Sequence, residues 1–128
     1  MPAKLNRMSG WVVDRELLAW AAGFVDGEGS FYLQTTSSAK RPNCLLRPRF
    51  EVAQVDSRIL HRLKGVLGFG AGVNGPYDNK KHSDAKASPI YTYSVSGFED
   101  VQTLMALLWT WLGPVKREQA KSVLMEVR

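Results

Sequence analysis

The stretch LLAWAAGFVDGEGSFYL, residues 17–33, runs from a helix into a strand through two acidic residues and three glycines. The residues that follow Asp14 are mostly apolar, and Asp14 is suited to cap the helix that they predict. Polarity then alternates, which predicts a β-strand over 30–37. Asp26 and Glu28 stand at the C-terminal end of the helix, where the helix dipole disfavours negative charge. Their position therefore needs a physical reason.

A helical projection divides residues 17–26 into two faces. One face is bulky and is expected to meet the core, and it consists of Leu17, Trp20, Ala21 and Phe24, with Leu18 and Val25 beside them. The other face carries minimal side chains, at Ala19, Ala22, Gly23 and Asp26. A glycine inside a helix costs about 1 kcal/mol relative to alanine, so Gly23 favours the close approach of another backbone.

Two such helices that cross at their small faces bring their acidic ends together. Two carboxylates at short range repel each other unless a divalent cation binds them, and oxygen ligands suit Mg²⁺ better than zinc. The alternative is a tight helix pair whose acids are solvated and cap the following turn. The spacing alone leaves both interpretations open.

Composition and charge describe one globular domain with a basic segment. The chain has 128 residues, of which 45% are hydrophobic and 23% charged, and its net charge is +5. Residues 31–65 contain seven basic residues against two acidic ones, so this segment carries the whole excess. A concentrated positive segment indicates a polyphosphate partner such as nucleic acid, although a solvated basic loop has the same composition.

The chain is expected to be intracellular, in the cytoplasm of a prokaryote or in an organelle matrix or stroma. Its one cysteine, Cys44, excludes an internal disulfide framework and fits a reducing compartment. The longest apolar run, 104–112, is too short to span a bilayer, and the N-terminus lacks an apolar signal region. No association with a membrane is expected.

The elements follow the order helix, two strands, helix, two strands, helices, which predicts an α+β fold with one antiparallel sheet and helices on one of its faces. Residues 37–44 resemble a turn, the helix that starts at 98 extends to 112, and Gly113 and Pro114 end it. We predict a single domain over 1–128, with elements at 14–27, 30–54, 56–67, 69–96 and 98–128.

The nine residues AAGFVDGEG (21–29) closely resemble the motif that names the LAGLIDADG homing endonucleases. The strand order, the basic second strand and the terminal VKREQAKSVL segment (115–124) are also similar to that family's αββαββα core, over residues 14–127. The resemblance implies a saddle-shaped sheet that lies in the major groove of double-stranded DNA. A chain with one motif copy is expected to act as a homodimer on a long, near-palindromic site, with the motif helices and their residues Ala19, Ala22, Gly23 and Asp26 at the dimer interface.

The resemblance also assigns catalytic roles. Glu28 matches the metal ligand, where the commonest form of the motif has Asp, and the carbonyl of Gly27 is expected to approach the metal. Gln54 matches the residue that positions the attacking water, and Lys116 matches a basic residue near the scissile phosphate. Arg58 is expected to extend this electropositive pocket. Taken without the resemblance, Gln54 and Lys116 are ordinary surface residues.

The implied reaction is metal-assisted, in-line phosphodiester hydrolysis that leaves short 3′ overhangs. Mg²⁺ is the expected metal, Mn²⁺ is expected to substitute, and Ca²⁺ is expected to support binding without cleavage. Two other functions fit the same scaffold. One is an RNA maturase that assists splicing of its host intron RNA, and the other is a non-catalytic DNA-binding regulator.

Residues on the polar faces of the strands are expected to bind DNA, because Arg, Gln and Glu can read base edges in the major groove. The predicted readers are Ser30, Tyr32, Gln34, Thr36, Ser38, Arg47, Arg49, Glu51, Thr92 and Ser94. Basic residues in predicted loops are expected to contact phosphates and to position the protein, at Lys40, Arg41, Lys80 and Lys81. Further predicted contacts are Asn74 and Tyr77.

Overall fold

A computed structural model describes residues 14–38, 41–78 and 88–126, with the side chains of all of these except 36–38 and 41–45. The elements are α1 (Arg15–Glu28), β1 (Ser30–Ser38), β2 (Arg41–Gln54), α2 (Ser57–Leu67), β3 (Val73–Tyr77), β4 (Ile90–Ser96), α3 (Phe98–Leu108), a 3₁₀ turn (Trp109–Trp111) and α4 (Pro114–Glu126). The architecture is α+β, as predicted. Within the described ranges, every helix is too short or too polar to cross a membrane.

The four described strands form one antiparallel sheet in the order β1-β2-β4-β3. Phe31 of β1 lies opposite Phe50 of β2, and Phe50 lies opposite Val95 of β4, so these side chains form a row on one face. All three are buried, because the helices pack over this face. The alternation of the sequence therefore predicted the phase of these strands correctly.

The core lies between this sheet face and the helices. Phe50 is fully buried at its centre, and its ring centroid is 5.0 Å from that of Phe31. Leu60 and Leu63 of α2 and Leu104 of α3 are also fully buried. Removal of this apolar surface from water is the main favourable term in folding, at about 25 cal/mol per Å².

Helix α1 turns a different face to the core from the one that the projection predicted. Its buried residues have the spacing i, i+3, i+4 and i+7, and they are Leu18, Ala21, Ala22 and Val25. The small side chains of Ala21 and Ala22 let the helix axis approach the rest of the core closely. Ala22, which was predicted on the exposed small face, is therefore fully buried inside the chain.

The two aromatic residues of α1 lie beside the core and not within it. Trp20 and Phe24 are only partly buried and stack on each other, with ring centroids 5.8 Å apart. The guanidinium of Arg62 lies over the Trp20 ring at 4.1 Å from its centroid. Stacking and this cation–π contact stabilise the aromatic pair at the margin of the core, where the Arg62 cation keeps access to water.

Strand β1 ends at Ser38 and strand β2 begins at Arg41, so most of the predicted turn over 37–44 is strand. Ser38 pairs directly with Arg41, and Arg41 therefore lies in a strand and not in a loop. Among the described residues, the first half of β2 pairs only with β1, because its pairing with β4 begins at Arg49. One side of that half has no partner among the described strands, and a proline such as Pro42 is tolerated at such an edge. Leu46, expected on the core face, is 44% exposed at this end of the sheet.

The helix that was predicted to extend to 112 ends at Leu108 and continues as the 3₁₀ turn. The Arg117 side chain donates to the carbonyl oxygen of Trp109 at 2.7 and 3.0 Å, and its guanidinium lies over the Trp109 ring. These contacts give a partner to a carbonyl that a continuing helix would have paired. Pro114 begins α4, as predicted.

Candidate active site and nucleic-acid interface

Two of the predicted catalytic residues, Glu28 and Gln54, are hydrogen-bonded to each other. Glu28 is the last residue of α1, and Gln54 is the last residue of β2. The Gln54 side-chain amide donates from Nε2 to Glu28 Oε1 at 3.0 Å, at an exposed position. The end of strand β2 therefore holds the Gln54 amide against the Glu28 carboxylate at the end of the motif helix.

Gly29 makes this approach possible. Its backbone is extended (φ −87°, ψ 168°), a conformation that any residue can adopt, and its N–H donates to the Val25 carbonyl. A Cβ placed on Gly29 would overlap Cε1 of Phe50 and would lie 2.8 Å from Cζ. The glycine is therefore required for space, because the chain passes directly over the buried ring as it leaves α1.

Asp26 lies near the C-terminal end of α1, where the helix dipole disfavours a negative charge, and a hydrogen bond to the start of α4 stabilises it there. Its Oδ1 accepts a hydrogen bond of 2.9 Å from the backbone N–H of Gly113, which immediately precedes α4. The Gly113 carbonyl in turn accepts from Arg117 N–H at 3.0 Å, as expected for a residue at a helix N-cap. Asp26 thus lies at the positive end of the α4 dipole, which offsets its unfavourable place on α1.

Lys116 lies half-buried in the first turn of α4, and this helix is bound to the motif segment at two points. One is the Asp26–Gly113 hydrogen bond, and the other joins Phe31 N–H to Gln119 Oε1 at 3.4 Å. Asp26 and Phe31, which make these two bonds, lie before and after Glu28 in the sequence. The helix that carries Lys116 is therefore fixed relative to Glu28.

Arg58 is bound to its own helix cap and does not join the pair formed by Glu28 and Gln54. Its Nη2 lies 2.6 Å from Asp56 Oδ2, and Asp56 also accepts the Arg58 backbone N–H at 2.9 Å. The hydrogen bonds from Arg58 lower the pKa of Asp56 to about 2, and the carboxylate raises the pKa of Arg58. The predicted extension of the pocket by Arg58 is therefore not seen within the chain.

The donor set at the end of α1 fits a hard divalent cation only in part. Within the described ranges, no three His, Cys, Asp or Glu side chains lie close enough together to hold a metal ion. Glu28 presents one exposed carboxylate, and the carbonyl of Gly27 lies in the last turn, where helix carbonyls lack intrahelical partners. Mg²⁺ is often bound by one or two carboxylates together with substrate phosphates. The residues present suit such an incomplete site.

The face of α1 opposite the core is open among the described residues. Apart from the neighbouring residues and the helix's own backbone, no described atom lies within 4 Å of a Cβ built on Gly23 or on Gly27, and both glycines are exposed. Together with Ala19 they lie at i, i+4 and i+8, so they form one stripe. Ala22 was predicted to belong to this stripe, but it is buried, and Gly27 lies in the stripe instead.

The second face of the sheet is polar, and none of the described helices covers it. Its members alternate with the core residues along β1, β2 and β4, and they include Ser30, Tyr32, Gln34, Arg47, Arg49, Glu51 and Thr92. Asn74 lies opposite Thr92 and continues the surface onto β3, where Tyr77 is 50% exposed. Ser94 is on the same face but only 3% exposed, so it offers little surface to a ligand.

Six of the predicted contacts cannot be placed on this surface. Thr36, Ser38 and Arg41 lie in β1 and β2, but their side chains are outside the described part of the structure. The three lysines Lys40, Lys80 and Lys81 lie outside the described residues altogether.

Four side chains of the polar face form a network. The Tyr32 hydroxyl donates to Glu51 Oε1 at 2.9 Å, Arg49 Nη1 donates to Ser96 Oγ at 2.7 Å, and Arg49 Nη2 lies 3.8 Å from Glu51 Oε2. Burial, followed by the hydrogen bond to Glu51 and its charge, raises the pKa of Tyr32. Ser96 was not among the predicted contacts, although it continues the spacing of Thr92 and Ser94.

The profile of the LAGLIDADG endonuclease family matches residues 21–109, which include the motif, both pairs of strands and α3. The chain belongs to the LAGLIDADG endonuclease family. A search of curated proteins gave no match.

Solved structures of this family share the fold. The homing endonuclease I-CvuI in complex with the I-CreI target, in the presence of Mg and with the DNA not cleaved, is 28% identical with a TM-score of 0.70 over 88% of this chain and 66% of that chain. I-CvuI with its own target in the presence of Ca is 29% identical, with a TM-score of 0.67 over 86% and 64%. This chain thus spans slightly less than two thirds of these relatives. The archaeal intron-encoded I-Vdi141I complexed with DNA, at 22% identity, has the same fold with a TM-score of 0.66 over 89% and 69%.

Proposed function

We propose that the protein is a site-specific endonuclease that hydrolyses double-stranded DNA with a divalent metal and acts as a homodimer. The observation that carries this proposal is the hydrogen bond between Gln54 and Glu28, since it joins the two strongest catalytic candidates where the motif helix and strand β2 end. The I-CvuI relatives bind DNA in the presence of Mg or Ca, which supports a divalent metal here.

Assembly into a homodimer follows from the incomplete metal site and the open stripe of α1. At the end of α1, the described residues leave only the Glu28 carboxylate for a metal, because Asp26 is bound to Gly113, so a second chain and the DNA phosphates would supply further oxygens. The stripe of Ala19, Gly23 and Gly27 allows two helix backbones to approach closely. Two-fold symmetry then requires a near-palindromic target. Cuts across the minor groove would leave short 3′ overhangs.

Each catalytic candidate of the chain would have a separate role in an in-line hydrolysis. Glu28 and the Gly27 carbonyl would hold the metal, which supplies Lewis-acid activation of water and neutralises charge on the leaving oxygen. Gln54, a neutral amide already fixed against Glu28, would orient the attacking water without removing its proton. The Lys116 ammonium would stabilise the negative charge that develops on the phosphate.

Cleavage tests the metal site. Wild type, Glu28→Gln and the control Glu99→Gln are tested on duplex DNA selected by the wild-type protein from a randomised pool. Glu99 is an exposed acid in the first turn of α3, so the control makes the same change of charge away from the site. All three proteins are expected to bind in Ca²⁺, and only wild type and the control to cut both strands in Mg²⁺ or Mn²⁺. Cleavage by Glu28→Gln at the wild-type rate would disprove the assignment.

A conservative substitution tests the dimer. A Cβ at Gly23 meets none of the described residues within 4 Å, so Gly23→Ala should stabilise an isolated helix by up to about 1 kcal/mol. If a second backbone packs on this stripe, the added methyl group should instead weaken the dimer, as seen by analytical ultracentrifugation. The control Gly65→Ala makes the same change at an equally open position of α2. Equal dimer affinity for both variants would exclude this interface.

A further inference from the structure

The polar sheet face carries two kinds of charged side chain. Arg47 is exposed, and no hydrogen bond or ion pair joins it to another described residue. Arg49, two residues further along the same face, has a side chain that is only 22% exposed, and the Glu51 side chain is 33% exposed. Bonds to the neighbouring strands fix this second pair, so its geometry is set before any ligand binds.

The network extends across three strands. Tyr32 on β1, Arg49 on β2 and Ser96 on β4 lie opposite one another in the sheet register. The Tyr32 hydroxyl reaches diagonally to Glu51 Oε1, and Ser96 accepts from Arg49 Nη1, so each charged group is bound from a different side. Long charged side chains lose rotamer freedom when they bind a ligand, and this pair has lost much of that freedom on folding.

Both charged groups keep unused hydrogen-bonding capacity. The Arg49 guanidinium has five N–H donors, of which one is hydrogen-bonded to Ser96, while Nη2 faces Glu51 in an ion pair at 3.8 Å, so a pair of donors remains for a planar acceptor group. The Glu51 carboxylate accepts from Tyr32 and faces Arg49, and it retains further lone pairs. A carboxylate on a DNA-binding face repels phosphates, and in the major groove only the amino groups of cytosine and adenine can donate to it.

We infer that Arg49 and Glu51 together read one G·C base pair in each half-site of the target. This inference rests on the proposed function. Guanine presents its O6 and N7 acceptors to an arginine, and the N4 amino group of the paired cytosine lies beside O6. An arginine and a carboxylate in contact with each other match this donor and acceptor pattern, while an A·T pair offers no adjacent pair of acceptors. Tyr32 and Ser96 act as positioning residues.

Selection from a randomised duplex pool in Ca²⁺ tests the inference, because it reads binding without cleavage. The proteins compared are wild type, Glu51→Gln, Tyr32→Phe and the same-charge-change control Glu99→Gln. Wild type and the control are expected to enrich a G·C pair at one symmetric position. Glu51→Gln should lower the preference at that position alone by about tenfold, since the carboxylate both accepts from cytosine and holds the Arg49 guanidinium, whose bidentate contact with guanine contributes discrimination of that order. Tyr32→Phe should cause a smaller loss at the same position.

The outcomes separate the two proposals. If wild type enriches no duplex at all, the proposed function fails and the inference fails with it. If wild type selects a site and Glu51→Gln selects the same site with the same strictness, only the inference is overturned. A uniform loss of affinity at all positions would also overturn it, because a general electrostatic role, and not base reading, would explain that result. Thermal melting of each variant verifies that the fold is retained.

Discussion

Substitution of Gly29 by alanine should destabilise the fold through one steric contact. The backbone at Gly29 is extended, so alanine is tolerated conformationally and gains roughly 0.4 to 1 kcal/mol by restricting the unfolded chain. The new methyl group, however, would overlap the Phe50 ring, which is fully buried and tilted against Phe31. Overpacking of a core typically costs about 1 to 3 kcal/mol. We therefore expect a net loss of about 1 to 2 kcal/mol in the free energy of unfolding.

Urea denaturation of four proteins measures this loss: wild type, Gly29→Ala, Phe50→Leu and the double variant. Since leucine removes the aromatic atoms that the methyl group would meet, Gly29→Ala should cost at least about 1 kcal/mol less in the Phe50→Leu background, a coupling typical of residues in contact. Gly65→Ala serves as the control, and it should stabilise the protein because a Cβ there meets none of the described residues within 4 Å. Equal losses from Gly29→Ala in both backgrounds would refute the steric explanation.

Substitutions at three further positions test contacts that hold the fold together. Asp26→Ala should lower the free energy of unfolding by about 1 kcal/mol by removing the acceptor of Gly113 N–H, while Asp26→Asn keeps an acceptor; equal losses would contradict this role. Tyr93→Phe should cost about 1 kcal/mol by removing the 2.6 Å bond to the Phe69 carbonyl. Burial raises the pKa of Tyr93, so wild type should lose stability as the pH rises above about 10, and an equally steep alkaline loss in the variant would count against this cause. Asp56→Asn retains a capping side chain without the charge. The pKa of Asp56 is lowered to about 2, so the melting temperature of Asp56→Asn should lie below that of wild type at neutral pH. This difference should disappear as the pH falls from about 4 to about 2, and a constant difference would rule out a charge effect.

The sequence predicted the parts of the fold that depend on local periodicity. Alternation along β1 and β2 placed Phe31 and Phe50 in the core and Tyr32 and Arg49 on the polar face, and the structure agrees. The phase of α1 was predicted wrongly, because side-chain bulk was taken to mark the core. In the structure, the aromatic Trp20 lies at the margin, since alanines allow closer packing than aromatic rings.

Contacts between distant parts of the chain could not be predicted from spacing. The bond from Gly113 to Asp26 joins residues in α1 and in the turn before α4, and no periodic pattern links them. Arg58 was expected to add to the electropositive pocket, but its nearest acid, Asp56, lies two positions away and binds it first. The resemblance to a family supplied the candidates Glu28 and Gln54, and only the folded chain shows that they touch.

Nearly every residue at the end of α1 has a different environment. Ala22 faces the core, Gly23 faces open space, Asp26 binds the start of α4, Glu28 meets β2, and Gly29 lies against a buried ring. A scan of all substitutions over this short segment should therefore give several unrelated sensitivity profiles. Changes at Ala22 or Gly29 should lower the yield of folded protein, whereas changes at Glu28 should leave that yield intact. Such a segment resists gradual sequence drift, because no single compensating mutation elsewhere restores all of these contacts.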